Sequence, residues 1–272
     1  MPEELDEVLD VPNVGPIHFD RRSREELAFL IDEVFTHAEY ARHGIEHPRG
    51  GTIVDVGANI GLFTLDVIRR TSGDCRVVAI EPIPEILRYL ERNVSQHQNV
   101  EIVRAGLTRL DGPRAATFSF YPGLPANSTQ FPDTKREELS TYVDAILAKL
   151  KRENELAYLF SASLIRARFA TLAEAVTVEV PLTTLAELRR TRHLDTIDLL
   201  KIDVEGAELD VLGGLDEPTW ACVRQVVLET SSDRTETVAS ILGSRGFARV
   251  YVDTPTFAAD LGLPNRQVFA FR

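Results

Sequence analysis

Apolar positions along this chain fall into two alternating rhythms. Short β-branched runs at 52–56, 76–81, 100–105, 198–203 and 224–230 read as buried strands. Helical spacing follows the first run to about residue 70, and recurs over about 84–97, 205–212 and 234–243. Repeated units of this kind predict a mainly parallel sheet with helices on both faces. Two further strands, 248–253 and 267–271, are joined by a loop rather than a helix, which predicts one antiparallel strand at the end of the sheet. Upstream, Leu27, Leu30, Ile31, Val34 and Phe35 place a helix over 24–36, with Ser23 at its N-cap. Residues 1–22 read as an irregular arm, and 37–51 as a glycine- and proline-punctuated loop.

The rhythm breaks between the third and fourth strands. Residues 115–121 alternate like an exposed strand, and 122–132 form a loop rich in proline, glycine and small polar residues. An amphipathic helix follows at 137–150, then a second helical stretch at 156–172 and a strand at 176–180 that pairs with 115–121. The expected organisation is an N-terminal arm and helix (1–36) and one α/β domain (37–272) carrying a helical insertion at 133–175. The apolar stripes of the insertion helices are most simply read as packing on that domain, with a lid, a dimer interface or a docking face as rivals.

Charge and composition narrow the partners. A net charge of −12 with no basic stripe argues against nucleic acid and against an anionic membrane surface. No apolar run approaches the ~20 residues that span a bilayer. Cys75 and Cys222 lie far apart and read as free thiols of a reducing compartment. The expected location is cytoplasmic.

The candidate chemistry begins at 55–61, DVGANIG, where the first strand meets its helix. Gly57 and Gly61 permit a tight turn close to a ligand, and Asn59 tolerates left-handed backbone. A dinucleotide fold expects G-x-G-x-x-G with a pyrophosphate on the helix N-terminus. Here Asp55 precedes the first glycine, a charge that disfavours phosphate and favours an ammonium-bearing ligand such as S-adenosylmethionine. Glu81, at the end of the second strand, sits where a carboxylate accepts the ribose hydroxyls of an adenosine. The fourth strand ends in Lys201, Asp203, Glu205 and Gly206, and burying such charges is costly unless they are paired or bound to ligand.

Four segments together resemble the FkbM family of methyltransferases: DVGANIG, the Glu81-Pro82 pair, VPLTTLAEL at 180–188 and LLKIDVEGAELDVLGGL at 199–215. The likeness runs from about residue 40 to 230. It implies a class I methyltransferase, Rossmann-like fold: seven strands in the order 3-2-1-4-5-7-6 with strand seven antiparallel. It implies transfer of a methyl group from S-adenosylmethionine, typically to a hydroxyl of a polyketide, sugar or glycoside. By that resemblance Asp55, Gly57, Asn59 and Gly61 form the turn at the methionine end, Glu81 holds the ribose, and Gly106 lies near the adenine. Asp203 faces the transferred methyl, and Tyr40 touches the donor.

An alkyl hydroxyl needs a general base, and His43, Asp203 and Glu229 compete for that role, with Lys201 as a further catalytic candidate. Asp203 and Glu229 also suffice, with waters, for Mg²⁺, without demanding it. Asn127, Ser128 and Thr129 are candidate polar contacts to the acceptor. A metal cluster of His37, His43 and His47 is disfavoured because Gly44 and Pro48 interrupt any helix that would align them. The acceptor is a small molecule, free or tethered to a carrier protein, and a homodimer is open. The rival readings are an N-methyltransferase, a non-catalytic adenosylmethionine- or nucleotide-binding module, and an NAD oxidoreductase.

Overall fold

The computed structural model describes residues 5–272; residues 1–4 of the expected arm lie outside the described residues. The chain opens on a hairpin, β1 (Asp6–Val11) and β2 (Gly15–Asp20), before helix α1 (Arg24–Ile31). Then come β3 (Gly51–Val56), α2 (Leu62–Thr71), β4 (Cys75–Ile80), α3 (Pro84–Asn93) and β5 (Val100–Val103). The insertion region holds β6 (Gly106–Leu107), β7 (Ala115–Phe120), α4 (Pro132–Glu153), α5 (Glu155–Leu172) and β8 (Val176–Thr183). The chain resumes with α6 (Leu185–Thr191), β9 (Leu199–Ile202), α7 (Glu208–Leu212), α8 (Glu217–Cys222) and β10 (Gln225–Ser231). It ends with α9 (Thr235–Ser244), β11 (Arg249–Asp253), α10 (Thr256–Leu261) and β12 (Asn265–Phe271).

Seven strands form the main sheet in the order β5-β4-β3-β9-β10-β12-β11. Counted along the sheet's own strands this is 3-2-1-4-5-7-6. Only β12 runs against its neighbours, pairing antiparallel with both β10 and β11. A second, three-stranded sheet has β8 between β6 and β7, and the expected pairing of β7 with β8 is antiparallel.

Period-two alternation divides the strands between two cores. Val54, Val56, Val78, Ile80, Leu200 and Ile202 face α6–α9. Ile53, Val77, Leu199 and Val227 face the other side, packed with α2, α3 and the N-terminal segment. Asp55 and Lys201 share the second face, so their charges lie inside it rather than at its rim.

The N-terminal arm is a correction. Its hairpin buries Val11, Ile17 and Phe19 in the same core as the sheet. The loop signal was Pro12-Asn13-Val14-Gly15, where Asn13 and Gly15 take φ of 64° and 106°. Asn93 fixes the hairpin to the domain: its Oδ1 accepts from His18 N at 2.7 Å, and its Nδ2 donates to His18 O and Ile60 O at 3.1 and 2.8 Å. Ser23 stands at the N-cap of α1 but does not cap it; its hydroxyl donates to Asp20 O. The expected helix through residue 36 also changes character, widening into a π turn over Asp32–Thr36.

The insertion helices differ from each other. Helix α4 buries Val143 and Leu147. In α5 only Leu172 is buried, while Leu156, Leu159, Phe160 and Leu164 are exposed, so the expected packing of its apolar stripe on the domain does not occur. The loop expected before the last strand contains α10. No helix among the described residues is long and apolar enough to cross a membrane.

Replacing Asn93 with alanine strands three buried backbone groups. The expected loss is about 2–3 kcal/mol of unfolding free energy, read from denaturant titration. A loss under about 0.5 kcal/mol would show that the hairpin is not held this way.

Candidate active site

Two adjoining cavities open at the carboxyl ends of the strands, where ligands of open α/β sheets bind. The first, a cleft, is lined by Gly57, Asn59, Glu81, Gly106, Lys201 and Asp203 among others. The second lies under the insertion helices and is lined by Phe29, Tyr142, Phe169, Glu229, Thr230 and Asn265 among others. Glu33, Asp203 and Glu205 line both.

The first cleft is shaped by close backbone approach. Gly57 has φ +78°, and a Cβ there would stand 1.8 Å from the carbonyl oxygen of Asp203. No other residue fits this turn, which ties β3 to the end of β9. The N–H groups of Gly57 and Ala58 both donate to Ile80 O at 3.0 Å, adding β4 to the same junction. Gly61 has φ +95°, and a Cβ there would press on Leu90. Asn59 takes φ 49°, as its residue type allows. Its backbone N–H donates to one Glu81 carboxylate oxygen at 3.1 Å, while Ile83 N–H donates to the other at 3.0 Å. Burial raises the Glu81 carboxyl to about 7 against these two donors. Asn59 Oδ1 is buried in the cleft wall with no partner among the described residues. Open glycine walls, an acid at the end of the second strand and an unsatisfied acceptor fit an adenosine-type donor.

Lys201 is the centre of the charge network. Its ammonium donates to Gly57 O at 2.8 Å and lies 3.3 Å from Asp55 and 3.5 Å from Asp203. It also sits over the rings of Tyr40 and Phe63, at 5.5 and 5.8 Å from their centroids. Burial alone would push the ammonium down, but the two carboxylates outweigh it and hold it above the ordinary lysine range. Lys201 is therefore a fixed charge, not a proton acceptor. Tyr40 donates from its hydroxyl to Asp203 at 3.0 Å, and burial with the neighbouring Asp203 pushes its phenol up, so it stays a donor.

Two expected site residues, Asp55 and His43, sit elsewhere than the sequence placed them, while Glu229 lies where expected. Asp55 is fully buried, with one oxygen accepting from the Thr64 hydroxyl at 2.7 Å and the other facing Lys201. It does not line either cavity, so it positions the turn and cannot select a cationic ligand by direct contact. His43 also lies outside both cavities, 3.3 Å from Asp253 and stacked on Tyr251 at 5.0 Å. Glu229 does line the second cavity, but its partner is Asn265 at 3.1 Å and not Lys201. Burial, then the charges of Asp203 and Glu33, raise its carboxyl well above the ordinary range.

The remaining candidates divide by role. Asn127 donates to Glu26 at 2.9 Å, and Thr129 donates to Glu205 O at 2.7 Å, so both hold acids of the site in place. For Mg²⁺ the donor set does not fit: Asp203 is engaged by Tyr40 and Lys201, and no group of three or more His, Cys, Asp or Glu among the described residues is arranged for a metal. Both cysteines are free thiols.

Glu26 and Glu33 were not foreseen. They stand seven residues apart on the stripe of α1 that carries Leu30, which puts two acids on an apolar face. That was the available signal. Both are buried, and burial raises each carboxyl to about 8.

The methyltransferase FkbM domain model matches residues 55–249. The chain is 35% identical over 238 residues to methyltransferase sdnD of Sordaria araneosa, covering 83% of each. It is 32% identical over 262 residues to the 31-O-demethyl-FK506 methyltransferase FkbM of Streptomyces tacrolimicus, covering 91% of this chain and 90% of that one. It is 34% identical over 236 residues to the AMB antimetabolite synthetase AmbE of Pseudomonas aeruginosa, covering 82% of this chain but only 11% of that much longer protein. The glycine-walled cleft and these matches agree: this chain belongs to the FkbM family of S-adenosylmethionine-dependent methyltransferases.

Proposed function

We propose that this protein methylates a hydroxyl oxygen of a small secondary metabolite, a polyketide, sugar or glycoside, with S-adenosylmethionine as donor. The observation that carries the reading is the pair of cavities meeting at Asp203. One is walled by glycines and closed by Glu81; the other combines aromatic faces (Phe29, Tyr142, Phe169) with polar groups (Asn265, Thr230). Flat apolar faces interleaved with hydrogen-bonding groups suit a polyhydroxylated acceptor. A full-length relative in this family is named for methylation of an oxygen, at position 31 of a demethylated FK506.

When bound, the donor supplies a reactive methyl on a positive sulfur. The protein's contribution is placement. Glu81 receives the ribose hydroxyls, and the Gly57–Gly61 turn admits the methionine end. Asp203, held by Tyr40 and Lys201, orients groups at the meeting point of the cavities. Alignment of this kind lowers a barrier by roughly 7–11 kcal/mol. Helix α4 and the loop through Asn127 wall the second cavity. An acceptor tethered to a carrier protein would reach the same cavity.

Labelled donor incubated with methyl glycosides and cyclohexanols should deliver its label to oxygen, identified by NMR of the product. Label found on nitrogen or carbon would overturn the reading. In calorimetry with S-adenosylhomocysteine, Glu81→Ala should weaken binding by about 100-fold, the equivalent of roughly 2–3 kcal/mol of lost hydrogen bonding. Unchanged affinity would remove Glu81 from the donor site. His43→Ala should leave turnover within about twofold of the parent, since the ring stands apart from both cavities; a drop of a hundredfold or more would return it to the list of bases.

A further inference from the structure

Methyl transfer takes place where the donor cleft and the acceptor cavity meet, and three carboxylates line both: Glu33, Asp203 and Glu205. Two are already engaged. Asp203 accepts from Tyr40 and faces Lys201. Glu205 is clamped by Lys135 from the insertion helix α4, and its left-handed backbone, φ 51°, is held by Thr129. Glu33 is different. It is 6% exposed, opens on both cavities, and has no hydrogen-bond or ion-pair partner among the described residues. Its oxygens are not sealed in the core but face the two cavities with no protein partner, a position that a ligand can complete. The backbone that presents it is the π turn at Asp32–Thr36, an irregularity frequent at functional sites because it re-aims one side chain.

We propose that Glu33 is the catalytic base of the methyl transfer. The acceptor hydroxyl oxygen forms its bond to the donor methyl carbon while the carbon–sulfur bond breaks, and the bonding pair stays on sulfur. The hydroxyl proton passes to the Glu33 carboxylate and from there to water. Charge and atoms balance with no co-reactant beyond donor and acceptor. This inference rests on the O-methylation reading above.

The surroundings of Glu33 set its pH dependence. Asp203 and Glu205 face it from the end of β9, Lys201 from β9, Glu39 and Tyr40 from the turn after α1, and Glu229 from β10. Burial first, then the negative charges of Asp203 and Glu39, push its carboxyl up to about 8, with Lys201 opposing them. Below that pH the group is mainly protonated and cannot accept a proton; above it the carboxylate is available. Turnover should therefore rise with pH through neutrality and level off on the alkaline side.

The test compares the full chain with Glu33→Gln and Glu33→Asp, using methyl α-glucopyranoside as the first acceptor probe. For Glu33→Gln the expected results are a loss of about 10²–10⁴-fold in kcat, no alkaline-rising limb, and S-adenosylhomocysteine affinity within about twofold of the parent. Glu33→Asp, which keeps a retracted carboxylate, should lose rate but retain the limb. Where no acceptor turns over or one variant fails to fold, ¹³C NMR of the glutamate-labelled protein carries the test: a carboxyl titrating above the ordinary range must be present in the parent and absent from whichever of Glu33→Gln and Glu33→Asp folds, which separates it from Glu26, itself raised to about 8. A Glu33→Gln enzyme with parental kcat and an intact limb overturns the assignment, as does a parent without that titration. So does a Glu33→Gln defect confined to S-adenosylhomocysteine affinity. Label on oxygen with an unaffected variant defeats only this inference; label on nitrogen defeats the reading beneath it.

Discussion

A single buried ammonium holds this site together. Lys201 reaches from β9 to the carbonyl of Gly57 at the end of β3, and is neutralised by Asp55 below and Asp203 beside it. Without its carboxylates the charge would be costly at 3% exposure, and without the lysine Asp55 would be an uncompensated anion in the core. The consequence is geometric. The glycine turn that walls the donor cleft and the acid at the junction of the cavities are fixed to one another by the same three-way contact. Tyr40 and Phe63 close over the ammonium and keep water out, which strengthens every charge interaction inside.

The insertion extends this network rather than standing apart from it. Lys135 and Thr129 both fasten Glu205, and Arg234 from the opposite side donates to Gly206 O at 2.7 Å. The segment between β9 and α7 is thereby held in a strained, left-handed conformation that a free loop would not keep. The two cavities are thus one construction, with the insertion as the far wall of the second. The exposed apolar stripe of α5 plays no part in this and points away from the described core.

Much of this was legible in the chain itself. Continuous apolar runs marked β3, β4, β9 and β10, because parallel strands inside a sheet are buried on both faces, whereas β11 is half-exposed at the edge. Gly57, Gly61 and Asn59 announced a turn that needs positive φ, and they occupy it. Less legible was whether a charge meets ligand or another charge. Asp55, Lys201 and Asp203 are two apart or neighbours in register, so the sequence brings them to one sheet face without saying that two of them neutralise each other there. His43 carried the right intrinsic basicity but the wrong place, since a loop position is set by tertiary contacts such as Tyr251 and Asp253. Glu33 was hidden for the opposite reason: no motif singles it out, and only the π turn and the cavities reveal its place.

The most direct test of this account is S-adenosylhomocysteine affinity in the double variant Asp55→Asn, Lys201→Met. Removing both charges of the buried pair together leaves only Asp203 charged, a partly exposed carboxylate that keeps its hydrogen bond from Tyr40, so the variant is expected to fold, as checked by circular dichroism. The account predicts a folded protein whose affinity by calorimetry falls by about 100-fold or more, because a loss near 3 kcal/mol follows when the Gly57 turn and Asp203 lose their common anchor. A folded double variant that binds S-adenosylhomocysteine as tightly as the parent would contradict it.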